Sequence, residues 1–274
     1  MTAEHRRAIA PDLQNNSLSV SGLSVTIGKT TIVSETSFDA RAGELLAVIG
    51  PSGSGKTTLL RAITGEIAYQ GTIGMAGREV RQMPPKEQAA IRGVLPQASF
   101  LSFPLTVSEL VSLGLDSSVG DRQWRSNRVR DALNRVGLSG FEGRTYQDLS
   151  GGEQQRAHLA RVLCQVWEPL SDSGAPRWLF LDEPVSSLDI KHQYQIMQLA
   201  KDYARSGGGV VAVLHDLNLT ASFSDRCLVM QSGKPMSLGA TAEVLHPDLL
   251  SKTFDIALKR YETEDGKHYF LPAI

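Results

Sequence analysis

The sequence predicts an α/β fold in which a helical insertion interrupts a parallel sheet. Two runs, WLFLDEP (residues 178–184) and GVVAVLH (residues 209–215), are apolar almost throughout, which is typical of strands covered on both faces. Helical segments separate these strands along the chain. Between about residues 99 and 166, consecutive segments instead have helical periodicity, and this stretch forms the insertion.

The N-terminal part divides into a leader and a β-rich segment. Residues 1–16 lack the apolar core of a signal peptide, so we expect a flexible leader. The runs SLSVSGLSVTI, TTIVSETSF and LLAVIG then predict short strands, with Gly28 and Gly43 between them. After a helix that starts KTTLL, the run GTIGMAGREV predicts a hairpin, and GVLP predicts a further short strand.

The insertion contains the helical segments TVSELVSLGL, DRQWRSNRVRDALNRVG and GGEQQRAHLARVLCQVW. In the last segment, apolar residues at helical spacing mark a buried stripe: Leu159, Val162, Leu163 and Val166. The following stretch, WEPLSDSGAPRW, is rich in Pro, Gly and Ser and predicts a loop. Near the C-terminus, the strand-like runs CLVMQSGKP and HYFLPAI flank a helical run, TAEVLHPDLLSKTF.

Composition excludes several classes of protein. Of 274 residues, 41% are hydrophobic, and 28 Lys and Arg against 29 Asp and Glu leave a formal net charge of −1, so nucleic acid is not an expected partner. No apolar run is long enough to span a bilayer. Cys164 and Cys227 lie in helical and strand patterns and are predicted to be buried thiols of a reducing compartment. The chain is therefore expected to be cytoplasmic, and any membrane span must come from another chain.

The run GPSGSGKT, residues 50–57, fits the phosphate-loop pattern G-x-x-x-x-G-K-[ST] between a predicted strand and a predicted helix. Its glycines let backbone N–H groups face phosphate oxygens, Lys56 adds a positive charge, and the Thr57 hydroxyl is suited to Mg²⁺. A glycine-rich turn without a ligand is the alternative, and the strand-loop-helix context disfavours it. The predicted ATP-binding residues here are Gly50, Pro51, Ser52, Gly53, Ser54, Gly55, Lys56, Thr57 and Thr58.

Two further segments carry groups suited to nucleotide chemistry. Asp182 and Glu183 end a buried strand. Beside a phosphate loop, Asp182 is predicted to contact Mg²⁺ and Glu183 to act as the general base for the attacking water. In LSGGEQQR, residues 149–156, Ser150 and two glycines precede an amphipathic helix, which suits an anion. An ordinary capping box between Ser150 and Glu153 explains that segment equally well.

The ordered set of segments resembles the ATP-binding cassette (ABC) family, the nucleotide-binding subunits of transporters, over residues 17–255. The resemblance rests on the phosphate loop, LSGGEQQR, WLFLDE, SSLD (residues 186–189), Gln97 and His215. It implies a P-loop NTPase, RecA-like core with an N-terminal antiparallel β subdomain and the helical insertion as signature subdomain. Residues 256–274 would form a C-terminal tail packed on this core.

The resemblance also implies a dimer in which each ATP, with Mg²⁺, lies between one phosphate loop and the other chain's signature. The signature residues that would contact the opposite ATP are Ser150, Gly151, Gly152 and Glu153. Glu183, His215 and Gln97 would be catalytic, with Thr57, Gln97 and Asp182 as Mg²⁺ contacts and Asp189 in the D-loop. The family's usual adenine-stacking aromatic is replaced by Ile27, which offers apolar contact without a π-face.

Two features narrow the kind of transporter. The run ASFLSFPLTVSELVSLG after Gln97 resembles importers of iron chelates, haem and vitamin B12, and Phe100, Phe103 and Leu105 are candidates for contact with transmembrane permease subunits. The loop in residues 167–178, with LDIKHQ, is most similar to the haem-import ATPases, although GLDSS departs from the Gly-Arg pattern common after this helix.

The resemblance implies an ATPase coupled to haem uptake at the cytoplasmic face of a bacterial inner membrane, with a periplasmic substrate-binding protein as an indirect partner. A siderophore or B12 importer is the nearest alternative. A soluble ABC ATPase of DNA repair or the ribosome is disfavoured because the chain has neither a long coiled-coil insert nor a second cassette. A P-loop kinase would lack the signature and His215.

Overall fold

The computed structural model describes residues 16–97, 101, 103–116 and 118–273. The strands in these ranges are β1 (Ser17–Ile27), β2 (Thr30–Arg41), β3 (Leu45–Ile49), β4 (Gln70–Met75), β5 (Arg78–Glu79), β6 (Arg92–Leu95), β7 (Trp178–Asp182), β8 (Gly209–Val213), β9 (Arg226–Gln231), β10 (Lys234–Ala240), β11 (Leu258–Glu262) and β12 (His268–Pro272). The helices are α1 (Lys56–Ile63), α2 (Pro85–Ile91), α3 (Val107–Ser112), α4 (Arg122–Arg135), α5 (Gly151–Gln165), α6 (Ile190–Arg205), α7 (Leu217–Phe223), α8 (Thr241–Val244) and α9 (Pro247–Phe254). Almost all of the predicted leader, and Phe100, lie outside the described residues.

A six-stranded sheet in the order β10-β9-β3-β8-β7-β6 forms the centre of the molecule. Strands β9, β3, β8, β7 and β6 run parallel, and β10 pairs antiparallel with β9. Every residue of β3, β7 and β8 is buried, as expected for strands with both faces covered. The predicted α/β class is confirmed.

Alternate residues of each central strand enter two separate cores. On β3, Leu45 and Ala47 face the core that contains α3 to α7, whereas Leu46 and Val48 face the core that contains α1 and the N-terminal sheet. This alternation follows from the period of two in a strand. The sheet is thus fixed from both sides, and only its strand ends and edges reach solvent.

The N-terminal sheet has four antiparallel strands in the order β2-β1-β4-β5. The predicted hairpin corresponds to β4 and β5, which pair through Gly74 with Glu79 and Met75 with Arg78. The face of this sheet toward α1 carries buried apolar residues such as Leu18, Val20 and Ile73. This arrangement confirms the predicted antiparallel β subdomain.

Helices α3, α4 and α5 form the helical insertion and pack against one another. The buried Arg156 of α5 donates to the carbonyl oxygens of Val136 and Gly137 at the C-terminal end of α4, at 3.2 and 3.0 Å. These bonds satisfy carbonyl groups that a helix end leaves unpaired. Because α5 also borders β6, this helix connects the insertion to the central sheet.

The loop in residues 167–177 contacts both the insertion and the edge of the sheet. The guanidinium carbons of Arg128 and Arg135, both on α4, lie 4.2 and 4.0 Å from the Trp167 ring centroid. At the other end of the loop, Arg177 donates to the carbonyl oxygens of Ala90 and Leu170. Cation–π contact and carbonyl hydrogen bonds therefore fix a loop that sequence alone predicts only as irregular.

The C-terminal segment adds a hairpin of β11 and β12 that rests on α7 and α9. Phe270 is buried, and its N–H donates to Asn218 Oδ1 at 2.7 Å. The sequence does not predict β11, because LKRYE is mostly charged and exposed, and this strand is held by pairing rather than by burial. Within the residues that the structure describes, no helix is both long and apolar enough to cross a membrane.

His158 is a buried histidine of α5 whose protonation opposes folding. Its Nε2 lies 3.0 Å from the Tyr146 hydroxyl, and burial, with a smaller contribution from Arg161, lowers the pKa of the imidazole to about 4. Because unfolded histidine has an ordinary pKa near 6.5, the unfolded chain takes up a proton first as the pH falls. The folded state therefore loses stability between about pH 6.5 and pH 4.

We expect His158→Asn to remove this pH dependence. The difference in unfolding free energy between wild type and variant should be constant at pH 7–8 and should shift in favour of the variant below pH 6.5, by up to about 3 kcal/mol near pH 4. Urea unfolding across this pH range measures it. Parallel stability curves for the two proteins down to pH 4 would show that folding does not lower the pKa of His158.

Candidate functional site

The predicted site residues meet at one edge of the central sheet. The phosphate loop follows β3, Asp182 ends β7, and His215 and Gln97 each lie two residues beyond the ends of β8 and β6. These strands are parallel and adjacent in the order β3-β8-β7-β6, so their C-terminal ends lie side by side. A cleft of about 430 Å³ opens there, lined by Ile32, Ser52, Gly53, Gly55, Lys56, Thr57, Thr58, Gln97, Glu183 and His215.

The phosphate loop approaches the neighbouring strand so closely that Gly50 has no room for a side chain. Its φ is +152°, and a Cβ there would lie 2.1 Å from the carbonyl oxygen of Met230 on β9. A glycine is therefore required both by the backbone conformation and by the space. The loop leads into α1, and the first three residues of that helix, Lys56, Thr57 and Thr58, line the cleft.

Lys56 is buried and bends over its own loop. Its Nζ donates to the carbonyl oxygens of Gly50 and Pro51, both at 2.9 Å. Burial lowers the pKa of this amine, while the nearby carboxylates of Glu183 and Asp182 act in the opposite direction. The hydrogen-bond partners of the Lys56 ammonium group are thus neutral carbonyl oxygens. An anion bound in the loop would form stronger hydrogen bonds with this group.

Thr57 and Asp182 join two elements that are far apart in sequence. The Thr57 hydroxyl donates to Asp182 Oδ1 at 3.0 Å. Asp182 is 3% exposed, and this burial raises the pKa of its carboxyl to about 6, against the opposing effect of the Thr57 hydrogen bond. A desolvated carboxylate beside a hydroxyl is a pair of hard oxygen ligands that a divalent cation would stabilise.

Glu183 and His215 form a contact across the cleft. Glu183 Oε1 lies 2.6 Å from His215 Nε2. Glu183 has a left-handed backbone with φ of +51°, which is unfavourable by about 1–2 kcal/mol for a residue with a side chain. Such strain is typical of functional positions, where surrounding contacts impose it. This backbone turns the chain at the end of β7 while the carboxylate faces the cleft.

The signature segment has the capping box that the sequence allowed. Ser150 caps α5: its Oγ accepts from the Glu153 N–H at 3.4 Å, and the Ser150 N–H donates to Glu153 Oε2 at 2.8 Å. Hydrogen bonds from the Ser150 side chain and backbone lower the pKa of the Glu153 carboxyl. Neither residue is among the described residues that line the cleft, so one chain does not bring this helix start to its own phosphate loop.

Asp189 has a clear local role. It caps α6, and its Oδ1 accepts from the His192 N–H at 2.9 Å. Its side chain also lies 2.8 Å from His192 Nδ1, and these hydrogen bonds lower the pKa of the carboxyl. Any role of Asp189 toward a nucleotide is additional to this capping.

The structure places Gln97 at the cleft but does not place Ile27 among the residues that line it. Gln97 lines the cleft and also a neighbouring cavity of about 300 Å³, which Thr57 and Asp182 share. Ile27 is 57% exposed at the end of β1 and is outside the set that lines the cleft. Ile32 also lines the cleft, from β2, and was not predicted. An apolar residue in a predicted strand indicates packing and gives no sign of a binding site.

Gln155 is a second residue that sequence reasoning missed. Its Nε2 donates to the carbonyl oxygen of Glu183 at 2.8 Å, and its Oε1 accepts from the Ser187 hydroxyl at 2.5 Å. The only signal in the sequence was its position inside LSGGEQQR, where Ser150 and the glycines drew attention. Which side of α5 meets the loop after β7 follows from tertiary packing.

Comparisons with known proteins agree with this architecture. The model of the ABC transporter family matches residues 33–186. Hemin import ATP-binding proteins named HmuV are similar over most of their length. The protein of Rhizobium johnstonii is 54% identical over 93% of this chain and 97% of its own, and that of Mesorhizobium japonicum is 55% identical over 86% and 90%.

Solved structures are similar as well. A metal-chelate type ABC transporter in an inward-facing conformation has a TM-score of 0.75 at 23% identity over 95% of this chain and 98% of that one, which shows the shared fold. A dimeric ATP-binding cassette bound to ADP and Pi has a TM-score of 0.71 at 26% identity over 82% and 98%. Together with the family match, these similarities show that the chain belongs to the ABC transporter family.

Proposed function

We propose that this chain is the ATP-hydrolysing subunit of an ABC importer that energises haem uptake across a bacterial inner membrane. The observation that carries the ATPase part is the convergence of Lys56, Thr57, Asp182, Glu183 and His215 at one sheet edge. The haem part is supported by hemin import relatives that are more than half identical over most of the chain.

ATP binding follows from the groups at this edge. Backbone N–H groups at the start of α1 favour phosphate oxygens, and Lys56 exchanges the carbonyl oxygens of Gly50 and Pro51 for the β- and γ-phosphates. This exchange replaces neutral partners with anionic ones, which strengthens each hydrogen bond. The adenine lies against the exposed Ile27 without ring stacking.

The residues at the cleft also fit Mg²⁺. Thr57 Oγ1 and Asp182 Oδ1 are 3.0 Å apart, and the desolvated Asp182 gains a counter-charge when a divalent cation binds. Gln97, which lines the cavity next to both groups, would be a third residue to hold the ion. When bound, Mg²⁺ would neutralise phosphate charge.

Hydrolysis uses Glu183 and His215. A water attacks the γ-phosphorus, the bond to the β–γ bridging oxygen breaks, and ADP leaves with that oxygen while the Glu183 carboxylate accepts the proton of the water. His215, 2.6 Å from Glu183 Oε1, orients the carboxylate and contacts the γ-phosphate. The contact therefore keeps the base in place before the nucleotide arrives.

The active form contains two copies of the chain. Because Ser150 does not line the cleft of its own chain, Ser150, Gly151, Gly152 and Glu153 serve the ATP of the partner, with Asp189 in the D-loop between the sites. The Ser150 hydroxyl and the first N–H groups of α5 suit a γ-phosphate. The similar dimeric cassette bound to ADP and Pi supports this arrangement.

Separate permease subunits supply the membrane span. Phe103 is 72% exposed, and Leu105, two residues further along the chain, is partly buried, so this segment presents an apolar anchor shortly after Gln97 in the sequence. A permease helix that docks here would bury Phe103 and connect transport to the cleft. The subunit would then lie at the cytoplasmic face of the inner membrane, with a periplasmic binding protein as an indirect partner and no role for nucleic acid.

The first prediction separates binding from chemistry. We expect Lys56→Ala to weaken ATP binding more than tenfold, because it removes the charge at the phosphates, and Glu183→Gln to keep binding while hydrolysis falls at least about 100-fold. Calorimetry and phosphate release measure the two effects, and size exclusion should show an ATP-bound dimer of Glu183→Gln. If Glu183→Gln hydrolyses ATP at the wild-type rate, Glu183 is not the general base.

The second prediction concerns sites shared between chains. Ser150→Arg and Lys56→Ala are each expected to be inactive as homodimers. A heterodimer of the two has one intact site, made from the phosphate loop of one chain and the signature of the other, and should recover part of the wild-type ATPase rate. An inactive mixture in which heterodimers are demonstrated by differential tags would argue against shared sites.

The third prediction concerns the cargo. In proteoliposomes with the permease, haem-loaded binding protein should stimulate ATP turnover, whereas siderophore-loaded and B12-loaded proteins should not. Phe103→Asp should abolish this stimulation because docking would bury a charge, and Ile256→Asp, at an exposed apolar residue outside the proposed dock, serves as the matched control. If another cargo stimulates ATP turnover and haem does not, the chain is still the ATPase of an importer, but haem is not its cargo.

A further inference from the structure

The backbone of Glu183 is held in its left-handed conformation by few contacts. Its N–H donates to the Val213 carbonyl oxygen at 3.2 Å, which ties it to β8. Its carbonyl oxygen accepts from Ser186, through Oγ at 3.2 Å and N–H at 3.4 Å, and from Gln155 Nε2 at 2.8 Å. Ser186 belongs to the same turn, so Gln155 is the partner of this carbonyl that comes from another element.

The amide of Gln155 is itself oriented. A carbonyl oxygen needs a donor, so the NH₂ group must face Glu183, and this orientation turns Oε1 toward Ser187. The Ser187 hydroxyl then donates to Oε1 at 2.5 Å. The two bonds form a bridge from α5 to both ends of the short turn between Glu183 and Ser187.

Gly152 permits this bridge. A Cβ at Gly152 would lie 2.9 Å from the Ser187 carbonyl oxygen and 3.1 Å from Leu188 Cδ2. A side chain there would therefore push the turn away from α5 and lengthen the contacts of Gln155, three residues further along the same helix. The first turn of α5 thus packs closely against the turn after β7, and this packing requires a glycine at position 152.

We propose that Gln155 is a positioning residue for ATP hydrolysis: its amide bridge to the Glu183 carbonyl and the Ser187 hydroxyl holds Glu183 in the left-handed conformation from which its carboxylate faces the cleft. This inference rests on the proposed role of Glu183 as the proton acceptor. Gln155 does not touch the nucleotide in this role. Its loss should therefore change the rate of hydrolysis much more than the affinity for ATP.

Two substitutions test the bridge in the full-length protein, and a third is the control. Gln155→Leu keeps a similar size and removes both bonds, and Gln155→Glu keeps the shape but loses the donor while ionised. Both should lower kcat about tenfold or more at pH 8, with less than a twofold change in the KM for ATP. Gln165→Leu is the matched control, because Gln165 also lies on α5 and donates to backbone carbonyls, those of Ala89 and Arg92, away from the cleft.

The pH dependence distinguishes positioning from general stability. A protonated carboxylic acid at position 155 regains a donor for the Glu183 carbonyl, so the kcat of Gln155→Glu relative to wild type should rise as the pH falls from 8 to 5.5. The ratio for Gln155→Leu should stay constant. A loss of thermal stability alone, with constant ratios for both variants, would contradict the proposal.

The Ser187 hydroxyl provides an independent test that leaves the core of α5 untouched. Ser187→Ala should lower kcat less than Gln155→Leu, and the double variant should be no worse than Gln155→Leu alone, because the hydroxyl acts through the amide. If the reductions in kcat from the two substitutions add up in the double variant, the hydroxyl does not act through the Gln155 amide. If Gln155→Leu keeps the wild-type kcat while Glu183→Gln is inactive, the role of Gln155 is wrong and the proposed ATPase function stands. If the wild-type protein itself does not hydrolyse ATP, the proposed ATPase function is wrong.

Discussion

The burial of parallel strands on both faces is the constraint on which the rest of the structure depends. Since β3, β7 and β8 are completely covered, polar groups can leave these strands only at their ends. The parallel direction brings the ends to one edge. A phosphate loop, two carboxylates, a histidine and a glutamine, from segments more than 150 residues apart, meet there for this reason.

The charges at this edge are only partly compensated within the chain. Asp182 is buried with a hydroxyl as its partner, and Lys56 is buried against carbonyl oxygens. Each side chain pays a desolvation cost that the pKa values of both groups reflect, upward for the acid and downward for the amine. A magnesium nucleotide bound as proposed would supply the missing counter-charges, and relief of this desolvation would then contribute to its affinity.

The sequence was sufficient for the class of fold and for most of the residues at the sheet edge. An almost continuous apolar run such as WLFLDEP predicts a buried strand. The phosphate loop is predicted from the spacing of its glycines and from its position between a strand and a helix. Gln155 and Ile32 were missed because their roles arise from which helix or strand face meets a loop, which depends on packing between distant segments. The strand β11 was missed for a different reason, since backbone pairing alone defines it.

The contact of Trp167 with two arginines of α4 has a mechanical consequence. The loop that begins at Trp167 ends at Arg177, whose guanidinium is bonded to the chain just before β6. It is therefore a strut between the insertion and the outer strand of the sheet. Movement of the insertion relative to the sheet would therefore be transmitted through Arg177 to the chain at Ala90, directly before β6, the strand that leads to Gln97.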